Sequence, residues 1–476
     1  MKHFTLGNPR ATQVQRSRGL AVRLLPILVC ASLLLALVGP AAPAAAAGTL
    51  YVDRSSSCTT TCGGSWAAAY PQLQDALAVA ASGDQVWVAE GVYYPDEGTG
   101  QTDNDVLSIF TVIKGVAVYG GFAGNETVLG QRDPGLHPTI LSGDLQQDDL
   151  NDDGNFIDET NYDIQGDNAL HVVQLSNTDQ TTILDGFVIT AGNANGANPA
   201  PNAGLGGGVL ALNASPTLAN LVLSGNNATN SGGGLYSGPT PGSDTMLTPT
   251  PVLSDSTFTG NLAYNGGGML IDHSNITHLT DITFDGNAAE YGGGLYTLAS
   301  NPILKNVTFS ANTANSYGGG IYFFTKGIPT LMNVTLSGNQ ATGSGGGVYI
   351  DSGSPAFHNT LIANSPAGGD CVNNGGSGLS GSGNNLIEDS ANACGFADNV
   401  NGNIIGADPQ LGPLADNGGS TQTFALLSGS PAIDAGTDTN CPASDQRGMA
   451  RPYGSHCDIG AYEWTAFMIF LPMTVR

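Results

Sequence analysis

The chain has 476 residues, 41% hydrophobic and only 11% charged, against roughly a quarter charged in an average domain. Its 13 Lys and Arg stand against 39 Asp and Glu, a net charge of −26, which speaks against nucleic-acid phosphates and anionic lipid as partners. Glycine makes up 68 residues, yet β-branched apolar runs recur throughout, which argues against disorder and for a regular β architecture with many turns.

Residues 1–47 carry five basic side chains (Lys2, Arg10, Arg16, Arg18, Arg23) and no acidic one. An apolar run from Leu24 to Val38 follows, then an Ala-rich stretch to Ala47. This layout predicts a secretory signal cleaved after Ala47; an uncleaved anchor is the alternative. Removing it leaves 8 Lys and Arg against 39 acids, a net charge of −31, suited to attracting divalent cations. Six cysteines then remain: Cys58, Cys62, Cys371, Cys394, Cys441 and Cys457. An even number in an exported chain predicts disulfides. Fifteen pairings are open, and the sequence-local set 58–62, 371–394, 441–457 is the expectation. A zinc site is the weaker reading, because no Cys-x-x-Cys occurs.

Thr49–Asp53 predicts a first strand. Residues 70–82 have helical apolar spacing at Leu73, Ala76, Leu77 and Ala80, with Gly83 as the stop. A short helix here would plug the N-terminal end of a solenoid.

An acidic stretch at 143–159 comes next. Asp149, Asn151, Asp153, Gly154 and Asn155 match the first half of an Asp-x-Asn-x-Asp-Gly calcium loop, with Asp158 close behind. Thr160 stands where such a loop has Glu. The plain reading is a solvated acidic loop between coils; the alternative is a calcium cofactor that orders the loop and does not catalyse.

Six glycine triplets then dominate, at 206–208, 232–234, 266–268, 292–294, 318–320 and 345–347. Five are preceded by an apolar-x-x-Asn segment ending at Asn226, Asn261, Asn287, Asn312 or Asn339. A period near 26 residues, with period-2 apolar patterning inside it, predicts strands stacked as coils of a parallel β-helix. Propeller blades need about 40 residues and do not fit. No Gly-Lys-Ser/Thr follows any triplet, so these are not phosphate loops. The triplets are read as corners where only glycine fits. The five asparagines are read as an amide ladder pairing buried corner backbone. Tyr236, Tyr296, Tyr322 and Tyr349 share one repeat position, with Leu210 and Leu270 in the other two. Facing outward, this stripe would bind sugar rings; otherwise it is a packing ladder.

The segments ALLSGSPAIDAG (425–436), DQRGMARP (445–452) and CDIGAYE (457–463) resemble the C-terminal region of bacterial choice-of-anchor Q proteins. That resemblance is specific over about 375–463 and implies a secreted, right-handed, single-stranded β-helix of the pectin-lyase-like class. The coils before it resemble the Gly-Gly-Ala-Ile and Phe-x-x-Asn repeats of polymorphic outer-membrane proteins, which implies surface display and adhesion. This chain departs from those in lacking a C-terminal transport barrel, which speaks against autotransport. The expected layout is signal peptide 1–47, N-terminal cap and first coils 48–135, repeats 136–374 with an acidic loop at 143–168, last coils and a disulfide-stapled C-terminal cap 375–463, and an apolar tail 464–476. The tail is too short to span a bilayer. Leu471-Pro472-Met473-Thr474 in it resembles a sortase motif without its Gly or a following membrane segment.

For catalysis, β-helix lyases need an Arg or Lys base beside calcium-bound carboxylates, and hydrolases need paired carboxylates. Only Lys305 and Lys326 lie in the repeats, while Arg447 and Arg451 are expected to pair with Asp445 or Asp458. The function expected is therefore adhesion or glycan binding at the cell surface or outside the cell, without catalysis. The partner would be an extracellular polysaccharide or a cell-surface molecule, with no nucleic acid and no membrane span. A polysaccharide lyase or glycoside hydrolase is the first alternative, a structural envelope protein the second.

Overall fold

A computed structural model describes residues 47–465, apart from 152, 197–201, 243–247, 276, 376–377 and 380. The leader up to Ala46 and the tail from 466, with its sortase-like motif, lie outside the described residues.

The all-β chain winds as a parallel β-helix with three faces. These are a 19-stranded, a nine-stranded and a six-stranded sheet. One coil runs through His278–Asp285, Ala288–Tyr291 and Leu295–Leu298 before the next begins at Ile303. Its residues pair in parallel with the following coil: Phe284 with Phe309, Ala288 with Thr313, Leu295 with Ile321. Along the long sheet, the strands from Thr49–Val52 to Ala356–His358 make ten successive rungs. Alternation sends every second residue inward, where Phe258, Phe284 and Phe309 stack at 4.7 and 4.8 Å.

The triplet 292–294 has three reasons for glycine. Gly292 has φ +65°, the left-handed region. A Cβ on Gly293 would lie 2.5 Å from Gly319 O of the next coil, and one on Gly294 2.8 Å from Gly320 O. Backbone of adjacent coils therefore closes up where any side chain would hold it apart.

The N-terminal helix is shorter than the apolar spacing suggests, Leu73–Leu77, with Leu73, Ala76 and Leu77 buried against the first rungs. It ends early because Ala81 N–H donates to Asp84 Oδ2 (2.9 Å) and Gly83 N–H to Gly115 O (2.8 Å) instead of continuing the helical ladder.

The C-terminal segment differs from an end cap. After the antiparallel pair Leu411–Ala415 and Thr423–Leu426, it runs back along the flank of the solenoid as a strap. The cause lies in one corner of the long sheet. There Asp255, Asp281, Asn306, Asn333, Asn359 and Asn384 each have φ between +49° and +58°. Their side chains point out, and all but that of Asp281, which bonds Asn306, meet the strap. Asn306 Nδ2 donates to Ser444 O, Asn333 Nδ2 to Asp458 O, Asn359 Nδ2 to Thr437 O, and Asn384 Nδ2 to Ala435 O, at 2.9–3.1 Å. Gln446, buried, bonds Thr283 Oγ1 (2.9 Å) and Thr308 Oγ1 (2.7 Å). At the last rungs Phe396 packs edge-on to Phe357 (5.9 Å).

The disulfides are Cys58–Cys62, Cys371–Cys394 and Cys441–Cys457. The first closes an N-terminal loop, the second the last rungs, and the third the strap.

Candidate functional site

The five asparagines of the repeats form one continuous interior column, each fully buried. Asn287 shows the pattern. Its N–H and Nδ2 both donate to Asn312 Oδ1 (3.1 and 2.9 Å), and its Nδ2 also donates to Phe258 O (2.9 Å). Its Oδ1 accepts from Asn261 N–H and Nδ2 in turn. Asn226, Asn261, Asn312 and Asn339 continue the same chain of contacts. With no solvent contact, this column is architecture.

Tyr236, Tyr296, Tyr322 and Tyr349 stand on the nine-stranded sheet and point outward, alternating with the interior residues Leu235, Leu295, Ile321 and Val348. They pack ring on ring: Tyr296 to Tyr322 at 5.1 Å, Tyr322 to Tyr349 at 5.4 Å. Neighbours cover them so that only 4–7% of each is exposed. Burial, then the carboxylates Asp272 and Asp351, push the phenols of Tyr236, Tyr296 and Tyr322 upward, so they stay hydroxyl donors near neutrality. Tyr236 OH donates to Asp272 Oδ2 (3.0 Å).

The cover is itself aromatic, and it offers the solvent face. Tyr264, Tyr291 and Tyr317 come from successive strands of the six-stranded sheet. Tyr264 meets Tyr291 at 5.6 Å, Tyr291 meets Tyr317 at 6.0 Å, and Tyr317 stacks on Tyr349 at 4.6 Å. Tyr264 is 52% exposed and Tyr317 36%. The sequence stripe is thus the buried floor, and these three rings form its accessible edge. For two of them the signal was the residue directly before a triplet, Tyr291 before Gly292 and Tyr317 before Gly318; Tyr264 stands one residue earlier, with Asn265 before Gly266. Glu290 and Ser316 bond each other beside this row. Rings with hydroxyl handles and carboxylate neighbours can stack a sugar face and accept its hydroxyls.

The acidic loop is assembled differently from a calcium-hand loop. Asp153 and Asn155 are exposed and bond each other (2.8 Å). Asp149, Asn151 and Asp158 instead line a cavity of about 170 Å³ with Tyr94, Ser142, Asp144, Gln147 and Phe156. Burial, then the neighbouring Asp149, hold the Asp158 carboxyl well above the usual range, and burial raises Asp149 too. Among the described residues, Asp144, Asp148 and Asp149 are the one group of three ligand side chains close enough to share an ion.

A further set of charged groups serves the strap. Arg447 pairs with Asp445 (2.7 Å) and lies over the Tyr462 ring at 3.5 Å. Arg451 pairs with Glu463 (3.4 Å) and donates to the backbone carbonyl of Asp458 (3.1 Å). Asp255 and Asp281 stand at one position of adjacent coils. Asp255 accepts from Ser420 Oγ (2.8 Å) and Asp281 from Asn306 Nδ2 (2.9 Å). Burial, opposed by that hydrogen bond, lifts Asp281 to about 6.

Residues 207–390 match the family model for a right-handed β-helix region. The fold is a right-handed parallel β-helix. No curated protein matches the chain significantly. Solved structures similar to it include pectate lyase Pel9A (12% identity, TM-score 0.47, covering 88% of this chain and 97% of that one). A rhamnogalacturonan lyase is similar at 11% identity and TM-score 0.36, covering 80% of this chain and 96% of that one. Likeness at this level bears on neither activity nor substrate. No helix among the described residues is long and apolar enough to cross a membrane.

Proposed function

We propose that this β-helix is an extracellular, non-catalytic carbohydrate-binding protein that holds a polysaccharide along the tyrosine row. The observation that carries this reading is the edge of exposed Tyr264 and Tyr317, with half-buried Tyr291 between them, seated on a buried tyrosine floor. The rings come from successive coils, so the row follows the solenoid axis and suits a chain-like ligand. A net charge of −26 repels acidic polymers, which makes a neutral glycan the better partner. Three disulfides support an oxidising, extracellular location.

Hydrolysis is the second reading, and Asp281, raised to about 6, beside a second carboxylate, Asp255, favours it, since such chemistry uses a pair of carboxyl groups of which one is held protonated. Against it, both carboxylates are engaged in hydrogen bonds at the strapped corner.

Immobilised protein should retain a neutral polysaccharide (glucan, mannan or xylan) with its length unchanged. The double variant Y264A/Y317A should bind about tenfold more weakly, roughly 1.4 kcal/mol. Unchanged retention by that variant would remove the tyrosine row as the site. Shortening of the polymer would establish catalysis, and no retention at all would leave the structural envelope role.

A further inference from the structure

The acidic loop carries an inference of its own. It lies over the side of the solenoid, and its chain is seated there by named contacts. Asp158 N–H donates to Thr190 Oγ1 (2.9 Å), and Ser224 Oγ donates to Asp158 O (2.6 Å). The next residues pass over two coil corners, Gly225 and Gly260, where a Cβ would collide with the carbonyls of Asp158 and Glu159. At the same corner one coil further, Gly286 has nothing near its Cβ position. The loop thus spans three coils, those of Thr190, Gly225 and Gly260.

Within it, hard oxygens converge without enough donors. Asp158 is only 4% exposed, yet its Oδ2 meets no hydrogen-bond partner. Asn151 Oδ1, in the same cavity, is likewise buried and unpartnered. So is Asn168 Oδ1, whose Nδ2 donates to Asp149 Oδ2 (2.7 Å). A buried oxygen left without a donor costs about 1–3 kcal/mol, and more when it is charged. The charges acting on Asp158 are Asp149, Asp144 and Asp163, all of one sign. Asp144 and Asp149 accept N–H bonds from the loop itself, but like charges crowded beside buried oxygens that have no donor are the arrangement a cation offsets.

We propose that one calcium ion binds at the carboxylates of Asp144, Asp148 and Asp149, which lie close enough to share it, that Asn151 and Asp158 on the adjoining cavity wall are drawn in as further ligands, and that the ion pins the loop to the coils. The donor set is oxygen only, as hard cations require. It comes from an irregular loop and includes an amide oxygen, which suits calcium with its flexible shell of six to eight ligands; magnesium demands a near-ideal octahedron. The set differs from the calcium-hand reading of the sequence. Asp144 enters from outside the motif, while Asp153 and Asn155 drop out.

The test uses the full chain, treated with EDTA and then dialysed, titrated calorimetrically with calcium chloride and separately with magnesium chloride. One calcium should bind per chain, at least tenfold tighter than magnesium, and should slow proteolytic cleavage within 143–168. D158N keeps the side-chain shape and should weaken binding at least tenfold; N151A should weaken it too, and D153N should leave it unchanged. Circular dichroism checks that each variant is folded, and N151A stands in if D158N is not. No calcium uptake by the treated protein, equal affinity for magnesium, or loss of binding in D153N but not in N151A would each overturn the proposal.

Discussion

Two columns of small polar residues run along the repeat coils, and they do opposite work. The interior asparagines are saturated by one another, so each is a link that cannot be removed singly. Replacing Asn287 by Ala would orphan Asn261 N–H and one hydrogen of its Nδ2, whose other hydrogen still reaches Leu223 O, and would remove the amide donor to Phe258 O, all in a dry interior. We expect a loss of about 3 kcal/mol, measured by denaturant unfolding; a loss below about 1 kcal/mol would mean water replaces the amide. The residue before each ladder asparagine is also left-handed: Gly225, Gly260, Gly286, Ala311 and Gly338, with φ from +52° to +73°. Ala311 occupies that conformation without a glycine, so G286A should cost only about 1 kcal/mol. G260A differs, because its new Cβ would strike Glu159 O. It should expose the acidic loop to protease while the coils stay folded. Equal effects of the two variants would mean that backbone strain, and not the seated loop, sets the need for glycine at 260.

The coil is the element that sequence reveals best. Its period appears in the triplets and in the asparagines, and both are local necessities of the corner. What escaped reading lies where distant segments meet. The strap bonds coils more than 120 residues earlier, Asn333 to Asp458 and Gln446 to Thr283, and no local pattern in 405–464 announces such a docking. The exposed tyrosines escaped for another reason: they precede the triplets on the shortest, most polar face, away from the stripe that periodicity picks out. Asp144 lies outside the calcium motif, and only folding brings it to Asp149. The strap itself makes a prediction. Gln446 fills hydrogen bonds to two coils at once, and Cys441–Cys457 holds the turn beyond it, a closed loop of 16 residues. A loop of that size contributes about 3 kcal/mol. Q446A under reducing conditions should therefore release the strap as a unit. Limited proteolysis should cut within 405–464 and spare 207–350; cleavage of both at one rate would mean that strap and solenoid open together.

Charge acts on the molecule as a whole. A net charge of −26 loads the folded state with self-repulsion that acid relieves. Individual groups pull both ways. Burial lifts Asp281 and Asp458 each to about 6, against 3.8 when unfolded. A carboxyl whose folded pKa is raised binds its proton more readily in the native state. Its favourable contribution is complete below the unfolded value and is lost as pH rises through about 6. Glu126 opposes this: burial pushes it up, but the N–H groups of Ala123, Gly124 and Asn125 overcome burial and hold it low. Its contribution is present at neutral pH and disappears in acid. The two trends cross, so thermal stability in EDTA should rise from pH 7 to a maximum near pH 5 and fall below pH 4. Asp281→Asn isolates one term, since an amide tolerates the left-handed corner and still accepts from Asn306. The variant should be more stable than the parent at pH 7 by the order of 1 kcal/mol, with the difference gone by pH 4. Adding 0.5 M salt separates the two causes, because screening removes long-range repulsion at about 10 Å and beyond but leaves the desolvation of a buried carboxyl in place. If the stability difference between the Asp281→Asn variant and the parent vanished in salt at pH 7, the raised pKa would belong to the surrounding negative field and not to the strapped corner.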